Sequence, residues 1–488
     1  MTPAATPARV RRGLAWVGAA SSLIGVLDII AMLVMLNGWI SKTELGIATE
    51  AAWLFPILDQ ATDLGLSGAI VQRDHSEPDV VSTIFWVNLA AALALFGVLA
   101  LVAPPLAEAI WGHRVVGYLI VAYGTKLVWQ NVYFIPEAMM KRELRFKELS
   151  VIRTLANSAE FAGKVGFAAA GFGVWAFVLG PLARVFVTGI GVQLCNAWRP
   201  RCVLRLGAAR GHLGFGVRAA GSQMLFQFYT NIDYAIVSWF FGATALGAYR
   251  LAYDIVLEPV RIISGVVVTT AFPAFARLRH DRERLFAQLV SFTRFNLVTV
   301  LAYASVVAIA APDVLGALFP DYTSSATVVR ILCLVAVLRA VGFVIPPLLD
   351  GTGHPERTFR YQLVAAIILP VCFLAGAALL GDRLGYRAVA VAWASGYPIA
   401  FLVLLALGLA TAHATWTAFA RALASTLATL AFAALAGLAI HALVLPADLA
   451  PGLRLAATAV VVVATLVAVL EVRGLGPRAL VRALRDGS

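Results

Sequence analysis

The sequence predicts an all-α polytopic membrane protein of about fourteen transmembrane helices, and three observations support this fold class. Of 488 residues, 61% are hydrophobic and only 13% are charged, too few polar groups to cover a soluble protein of this size. The apolar residues recur in blocks of about 20, the length at which an α-helix crosses about 30 Å of hydrocarbon. A β-barrel is excluded because its strands would alternate over about ten residues, whereas Ala418–Ile440 is continuously apolar.

The apolar blocks define the predicted membrane spans, which we number 1 to 14 in chain order. They lie at residues 14–36, 46–71, 80–103, 115–139, 151–171, 174–195, 213–239, 246–275, 289–310, 325–348, 360–380, 387–409, 417–441 and 453–471. Span 1 follows three arginines but is too long for a secretory signal, lacks a small-residue cleavage site and is followed closely by span 2.

The charge of the loops gives an independent test of the span count, because Lys and Arg concentrate on the cytoplasmic side of membrane proteins. Alternate loops carry Lys141, Arg142, Arg145 and Lys147; Arg199, Arg201, Arg205 and Arg210; Arg277, Arg279, Arg282 and Arg284; Arg357 and Arg360; and the tail Arg473, Arg478, Arg482 and Arg485. The net charge of +12 therefore indicates topology rather than nucleic-acid binding. Both termini are predicted to be cytoplasmic, and the arginine-rich, alanine-rich composition favours a bacterium with an inner-membrane location.

An internal repeat of about 200 residues divides the chain. Glu44–Ile47 at the start of span 2 resembles Ala245–Tyr249 at the start of span 8, and the Ala103-Pro104 loop resembles the Ala311-Pro312 loop. Such repeats are common in transporters. We predict a six-helix lobe at 1–205, a second at 206–412, and two further helices with a basic tail at 413–488.

Polar residues at span depth form stripes along single helix faces. Charged groups cost about 2.5 to 3.5 kcal/mol each at the centre of a membrane helix, so they need partners or water. The stripes comprise Arg250, Asp254, Glu258 and Arg261 in span 8; Lys126, Gln130, Tyr133 and Glu137 in span 4; Arg153, Asn157, Glu160 and Lys164 in span 5; Asp59 and Asp63 in span 2; Gln223, Gln227, Asn231 and Asp233 in span 7; and Asp28 in span 1.

Two interpretations of these stripes stay open. The charges can be pairs along one helix, as Glu160 with Lys164 or Arg250 with Asp254. Stripes in both halves also fit a hydrated central cavity between the lobes. Pro56 and Pro259, at nearly corresponding repeat positions, permit kinks in spans 2 and 8.

Enzyme motifs are weak or missing, and no loop exceeds about 20 residues, which leaves no room for a soluble catalytic domain. His75 to Asp79 fits the H-x-x-x-D pattern of acyltransferases, but two fixed positions arise often by chance. There is no Walker A loop and no C-x-x-C pair, and the four cysteines have no zinc spacing. We expect no enzyme activity, no metal, no cofactor and no nucleic-acid partner.

The order of several short motifs resembles the polysaccharide-transporter branch of the multidrug/oligosaccharidyl-lipid/polysaccharide exporter superfamily, which includes O-antigen and exopolysaccharide flippases. The resemblance runs from span 1 to about span 12. It rests on Thr62–Leu66 with Ala69–Gln72, Thr83–Leu89, Ala103–Ala107, Lys141–Lys147, Gly173–Ala176, Ala245–Tyr249 and Phe272–Arg277. Many relatives close span 1 with Arg-Leu, whereas this chain has Asn37-Gly38-Trp39, so no role of that arginine is transferred.

The resemblance implies two lobes around a cavity that opens alternately to either side. It implies an undecaprenyl-pyrophosphate-linked oligosaccharide as cargo, for surface polysaccharide biosynthesis (exopolysaccharide, O-antigen or capsule), with membrane lipids as partners and other polysaccharide-assembly proteins as further candidates. The residues agree with these expectations. Cations suit a pyrophosphate (Lys126, Arg250, Arg261 and Lys164), and carboxylates suit the substrate or a coupling proton (Asp28, Asp59, Asp63, Asp233, Asp254 and Glu258). Polar groups suit sugar hydroxyls (Gln130, Tyr133, Gln227 and Asn231).

Two alternative functions are weighed against this one. A multidrug or toxin extruder of the same superfamily would need an acidic pocket for cations, whereas acids and bases are mixed here. A membrane polysaccharide polymerase or ligase would present a large outward-facing loop, which this sequence lacks.

Overall fold

The computed structural model describes residue 25 and residues 27–63, 77–112 and 114–472, without the side chains of 63, 206 and 208–220. The first half of span 1, the end of span 2 with His75, and the basic tail therefore lie outside the described residues. The chain divides into two compact units, Met1–Gly247 and Ala248–Ser488.

Unit 1 is built from helices. They are α1 (Leu27–Leu36), α2 (Lys42–Ala52), α3 (Phe55–Asp63), α4 (Pro78–Trp111), α5 (Val115–Arg142), α6 (Phe146–Ala169), a 3₁₀ turn (Gly173–Trp175), α7 (Ala176–Cys195) and the first part of α8 (Leu206–Leu278).

Unit 2 continues from the second part of α8 and is helical as well. It contains α9 (Arg282–Ile309), α10 (Ala311–Leu318), a 3₁₀ turn (Pro320–Ser325), α11 (Ala326–Gly342), α12 (Ile345–Gly351), α13 (Pro355–Leu384), α14 (Arg387–Thr411), α15 (Trp416–Leu443) and α16 (Pro451–Val472).

The predicted fold class is confirmed, since every predicted span that falls on described residues coincides with helix. Within the described residues, nine helices are long and apolar enough to cross a membrane by length and composition. Spans 7 and 8 share α8, whose 73 residues would extend about 110 Å as a straight helix, far more than one bilayer. Gly242 interrupts it with φ 78° and ψ 174°, a conformation that favours glycine.

Two predicted spans are broken helices, and proline lies at the start of the second piece in each. Span 2 is α2 and α3, with the break at Trp53 and Leu54 and Pro56 in the first turn of α3. Span 10 is α11 and α12, with Pro346 and Pro347 in the first turn of α12. Proline has no N–H to donate, and the first turn of a helix does not need one. Pro259, by contrast, lies inside uninterrupted helix in α8.

The extended segment 196–205, which follows α7, is held along the start of α4 by the motif that begins at Thr83. The backbone N–H of Arg205 donates to Thr83 Oγ1 at 2.9 Å. The indole N–H of Trp86 donates to the carbonyl of Arg201 at 2.9 Å, and the N–H of Arg201 donates to Ser82 Oγ at 3.1 Å. Side chains of α4 thus satisfy backbone groups that have no secondary-structure partner.

The last two helices, α15 and α16, are joined to the rest of unit 2 by a charged cluster. Asp313 of α10 lies 3.4 Å from His441 Nε2 of α15 and 3.6 Å from Arg454 Nη1 of α16. Arg294 of α9 also donates to the carbonyl of Ala422 in α15 at 2.6 Å.

Candidate functional site

Lys126 is a buried cation of unit 1. Its Nζ lies 2.9 Å from Asp59 Oδ2, and only 5% of the residue is exposed. The ammonium also lies over the rings of Tyr123, at 4.5 Å, and Phe55, at 5.1 Å. The break that starts α3 at Phe55 places Asp59 opposite Lys126. The two stripes of spans 2 and 4 therefore meet in one ion pair.

A second network joins α6 and α7. Glu160 uses both oxygens, with Oε1 2.7 Å from Lys164 Nζ and Oε2 2.6 Å from Arg184 Nε. Lys164 also lies 3.8 Å from Asp28 in α1. A Cβ added at Gly163 would lie 3.1 Å from the Cα of Gly180, so the small residues let the two helices come close enough for these pairs.

The remaining polar residues of unit 1 lie around these two networks. Glu137 is paired with Lys141 at 2.9 Å and with Arg153 at 3.3 Å. Tyr133 is buried, and Gln130, Gln227 and Asn231 are half-buried, with Asn231 Nδ2 donating to the carbonyl of Gln227 at 2.8 Å. Asp233 is fully buried, and the N–H of Tyr234 donates to its Oδ1 at 3.0 Å. Asp63 ends α3, and its side chain lies outside the described part of the protein.

In unit 2 the stripe of span 8 forms two pairs along its own helix. Arg250 Nε lies 2.7 Å from Asp254 Oδ2. Arg261 binds both oxygens of Glu258, with Nε donating to Oε2 at 2.9 Å. The pairing within one helix that the sequence left as an alternative is therefore present in α8, as it is for Glu160 and Lys164 in α6.

Pairing within a helix does not remove the charges from water. Arg261 lies near the middle of the part of α8 that follows Gly242, and 58% of its side chain is exposed. Asp28 in α1 is equally exposed, and Arg153 in α6 is 46% exposed. Charged groups exposed at span depth are unfavourable against hydrocarbon, so these faces border water or a polar ligand.

Arg339 is the buried cation of unit 2, with 6% of the residue exposed. Its Nη1 donates to the hydroxyl of Tyr253 at 3.2 Å. Its guanidinium carbon lies 5.6 Å from the ring centres of both Phe343 and Trp393. Stacking on aromatic faces is a favourable place for a delocalised guanidinium.

Three charged residues of the described helices do not belong to the predicted stripes: Arg184, Arg339 and the buried Glu50 of α2. Arg184 and Arg339 each lie in the middle of an apolar block, where a charge is costly, and that signal alone identifies them. Neither residue belongs to a stripe, because each lacks a charged neighbour at helical spacing. Glu50 lies near the start of span 2, where a charged residue is less unusual than at the middle of a span. Among the described residues, no group of three or more His, Cys, Asp or Glu side chains could hold a metal ion.

Comparison with known proteins places the chain among polysaccharide biosynthesis proteins. Residues 35–322 match the family described as "Polysaccharide biosynthesis protein". The Escherichia coli K12 lipopolysaccharide biosynthesis protein WzxC is 24% identical over 399 residues, covering 78% of each chain. The succinoglycan biosynthesis transport protein ExoT of Rhizobium meliloti is 25% identical, covering 75% of this chain and 74% of ExoT.

The fold is similar to that of a solved flippase. The lipid II flippase MurJ in an inward closed conformation aligns with a TM-score of 0.73 over 93% of this chain and 98% of MurJ. The sequence identity is 13%, so the likeness concerns the fold alone.

Proposed function

Because this chain belongs to the polysaccharide biosynthesis protein family, we propose that it is a flippase that moves an undecaprenyl-pyrophosphate-linked oligosaccharide repeat unit across the bacterial inner membrane. It works by alternating access and serves surface polysaccharide biosynthesis. Its ends lie in the cytoplasm, and it acts as a transporter without enzyme activity. Membrane lipids and other polysaccharide-assembly proteins are its partners. The family match confirms the resemblance carried by the sequence motifs.

The observation that carries the proposal is the set of charged side chains exposed at span depth. Arg261 exposes more than half of its side chain near the middle of the part of α8 that follows Gly242, and Arg153 exposes nearly half about two turns into α6. Guanidinium groups bind phosphate oxygens with two parallel hydrogen bonds, which suits a pyrophosphate. The half-buried amides Gln130, Gln227 and Asn231 are suited to sugar hydroxyls. An extruder of organic cations would gain nothing from these arginines, which disfavours that alternative.

A reciprocal helix crossing in unit 1 supports alternating access. Thr43 Oγ1 and Thr244 Oγ1 share a hydrogen bond of 2.7 Å across 201 residues. A Cβ at Gly46 would overlap the carbonyl oxygen of Ala243, and a Cβ at Gly247 would overlap that of Lys42. These positions are related by the same separation of 201, so the starts of the two repeats cross backbone to backbone.

The crossing lies at the predicted extracytoplasmic ends of spans 2 and 8. We name it the glycine crossing and define it by Thr43, Gly46, Thr244 and Gly247. Closely packed backbones without intervening side chains can separate and close again without rearranging a side-chain core. The glycine crossing is therefore suited to open and close the extracytoplasmic side during transport.

Deletion of the gene, followed by analysis of lipid-linked intermediates in separated membrane leaflets, tests the function. A flippase defect leaves completed repeat units on the cytoplasmic leaflet, and surface polysaccharide is lost. Unchanged surface polysaccharide, or accumulation of incomplete units, would overturn the proposal.

A matched pair of arginine variants tests the site. We expect Arg261→Ala to abolish surface polysaccharide in the complemented strain while the protein stays in the membrane. Arg284→Ala, which removes an arginine from an exposed pair with Asp281 at the start of α9, serves as the control and is expected to retain export. Equal export by the two variants would remove Arg261 from the transport pathway.

A further inference from the structure

Glu50 of α2 is a buried carboxyl group that the transport site described above does not use. Only 1% of the residue is exposed. The hydroxyl of Ser238 in α8 donates to Glu50 Oε1 at 2.6 Å, and the indole N–H of Trp111 at the end of α4 donates to Ser238 Oγ at 2.7 Å. The chain Trp111, Ser238, Glu50 thus links three helices of unit 1.

The surroundings of Glu50 contain no counter-charge. Among the described residues, no basic side chain lies within ion-pair distance, and Oε2 is buried with no hydrogen-bond partner. Glu160 and Glu258 differ in this respect, because each has both oxygens bound by cations. Of these three glutamates, Glu50 is the one whose surroundings give the least support to a negative charge.

The other described titratable groups on the elements packed against α2 do not neutralise a negative charge on Glu50. They include Lys42 and Glu44 on α2 itself, Glu108 on α4, Tyr118, Tyr123 and Lys126 on α5, and Asp233 and Tyr234 on α8. Lys126 forms an ion pair with Asp59, and Glu108 forms one with Arg114. Among the described residues, the partner that acts on the Glu50 carboxyl is the hydroxyl of Ser238.

Packing alone does not require an acid at this position. The residue that corresponds to Glu50 in the repeat, 201 positions further along, is Leu251, and it is fully buried. The same helix in the other half of the repeat therefore fills this place with an apolar side chain. An ionised carboxylate removed from water without a partner is very costly, whereas the neutral acid costs little.

We propose that Glu50 is a proton-binding site that controls the glycine crossing and couples transport to protons. This inference rests on the proposed function. Glu50 lies one helical turn from Gly46, and its partner Ser238 lies just before Gly242 on the helix that crosses α2. The closed crossing excludes water from Glu50. The carboxyl group is therefore protonated in the closed state, with the proton taken from water and held on Oε2. Opening the crossing hydrates the carboxyl, which releases the proton to water.

Cysteine cross-linking in the full-length protein in native membranes tests this inference without a substrate. Thr43→Cys and Thr244→Cys are introduced together in a chain whose four native cysteines are replaced by serine, and disulfide yield is measured from about pH 6 to about pH 9. The same pair is combined with Glu50→Gln, an uncharged side chain of similar shape. Dividing the two yields at each pH cancels the effect of pH on thiol reactivity.

With Glu50 present, we expect the yield relative to Glu50→Gln to fall at least about threefold across this range, because ionisation disfavours the closed crossing. Identical profiles with Glu50 and with Gln would overturn the inference. Glu44→Gln, a control at a half-buried acid on the same helix, is expected to keep the pH dependence. Loss of the dependence in that control would equally contradict a role specific to Glu50.

A second variant keeps the test valid if Glu50→Gln reaches the membrane poorly. Ser238→Ala removes the donor that favours the ionised form, so the fall in yield should move to higher pH by about one unit. An unchanged or lower midpoint would contradict the proposal. Because cross-linking needs no substrate, it tests this proposal separately from the proposed function. The pH dependence can be absent although deletion blocks export, and it can be present although deletion leaves export unchanged.

Discussion

In the described part of each unit, one cation is buried among aromatic rings, and the two cations make different contacts. In unit 1, Lys126 of α5 forms an ion pair with Asp59 at 2.9 Å and lies over two rings. In unit 2, Arg339 of α11 lies against Phe343 and Trp393 and donates to the hydroxyl of Tyr253. The two helices occupy corresponding places in the repeat, as spans 4 and 10.

The physical chemistry of the two side chains explains the difference. The lysine ammonium is compact and strongly hydrated, so it needs a carboxylate when it leaves water. The guanidinium group is delocalised and weakly hydrated, so aromatic faces and a hydroxyl can replace part of its hydration, and the charges of Arg339 and Glu258 also interact. The same helix of the repeat therefore accepts a buried cation in both units, with a direct carboxylate contact at Lys126 and flat aromatic contacts at Arg339.

The largest effect is expected from separating the lysine pair. Asp59→Ala leaves Lys126 buried without a counter-charge and should lower the free energy of unfolding by about 3 kcal/mol, since breaking a buried pair leaves an uncompensated charge. Thermal unfolding in detergent measures this loss. The double variant Asp59→Ala, Lys126→Met should recover most of it, because no charge is then left buried. A double variant as unstable as Asp59→Ala would mean that the lysine does not depend on its carboxylate.

A smaller effect is expected from exchanging the cation of unit 2. Arg339→Lys keeps the charge but loses the flat contact with Phe343 and Trp393, and should lower the free energy of unfolding by about 2 kcal/mol. Arg330→Lys, on the exposed side of the same helix, is the matched control and should change stability by less than about 0.5 kcal/mol. Equal stability of the two variants would show that stacking contributes nothing at Arg339.

The smallest effect is expected from removing single hydroxyl groups beside the two cations. Tyr253→Phe deletes an acceptor of Arg339 and should cost about 1 kcal/mol. Tyr123→Phe keeps the ring that lies over Lys126 and should be nearly neutral. The same unfolding measurements test both variants, and a larger loss for Tyr123→Phe than for Tyr253→Phe would reverse the assignment of partners.

The fold was accessible from the sequence because the bilayer constrains it strongly. A chain in hydrocarbon must satisfy its backbone within each helix, so apolar blocks of about 20 residues directly give the spans. The breaks inside spans 2 and 10 were harder to place. Pro56 indicated one of them, but the position of the turn at Trp53 and Leu54 depends on how the two pieces pack. The domain limits at 205 and 412 and the cytoplasmic termini remain predictions.

The candidate site was only partly accessible. Helical periodicity identified the stripes and the pairs inside α6 and α8, because those partners are three or four residues apart. It could not identify Lys126 with Asp59, separated by 67 residues, or Glu160 with Arg184, because pairs between helices depend on which faces meet. Roles in binding for the predicted site residues, from Asp28 to Arg261, remain proposals for mutagenesis.

Composition and periodicity by themselves determined that this protein is helical, crosses the membrane many times, repeats after about 200 residues and carries charged faces. These properties follow from local rules of helix geometry and from the cost of polar groups in lipid. Tertiary structure alone decided which charges form pairs, that the helices cross at Gly46 and Gly247, and that Glu50 is buried with no basic side chain of the described residues beside it. Those properties depend on distances between residues far apart in the chain, which local patterns do not encode.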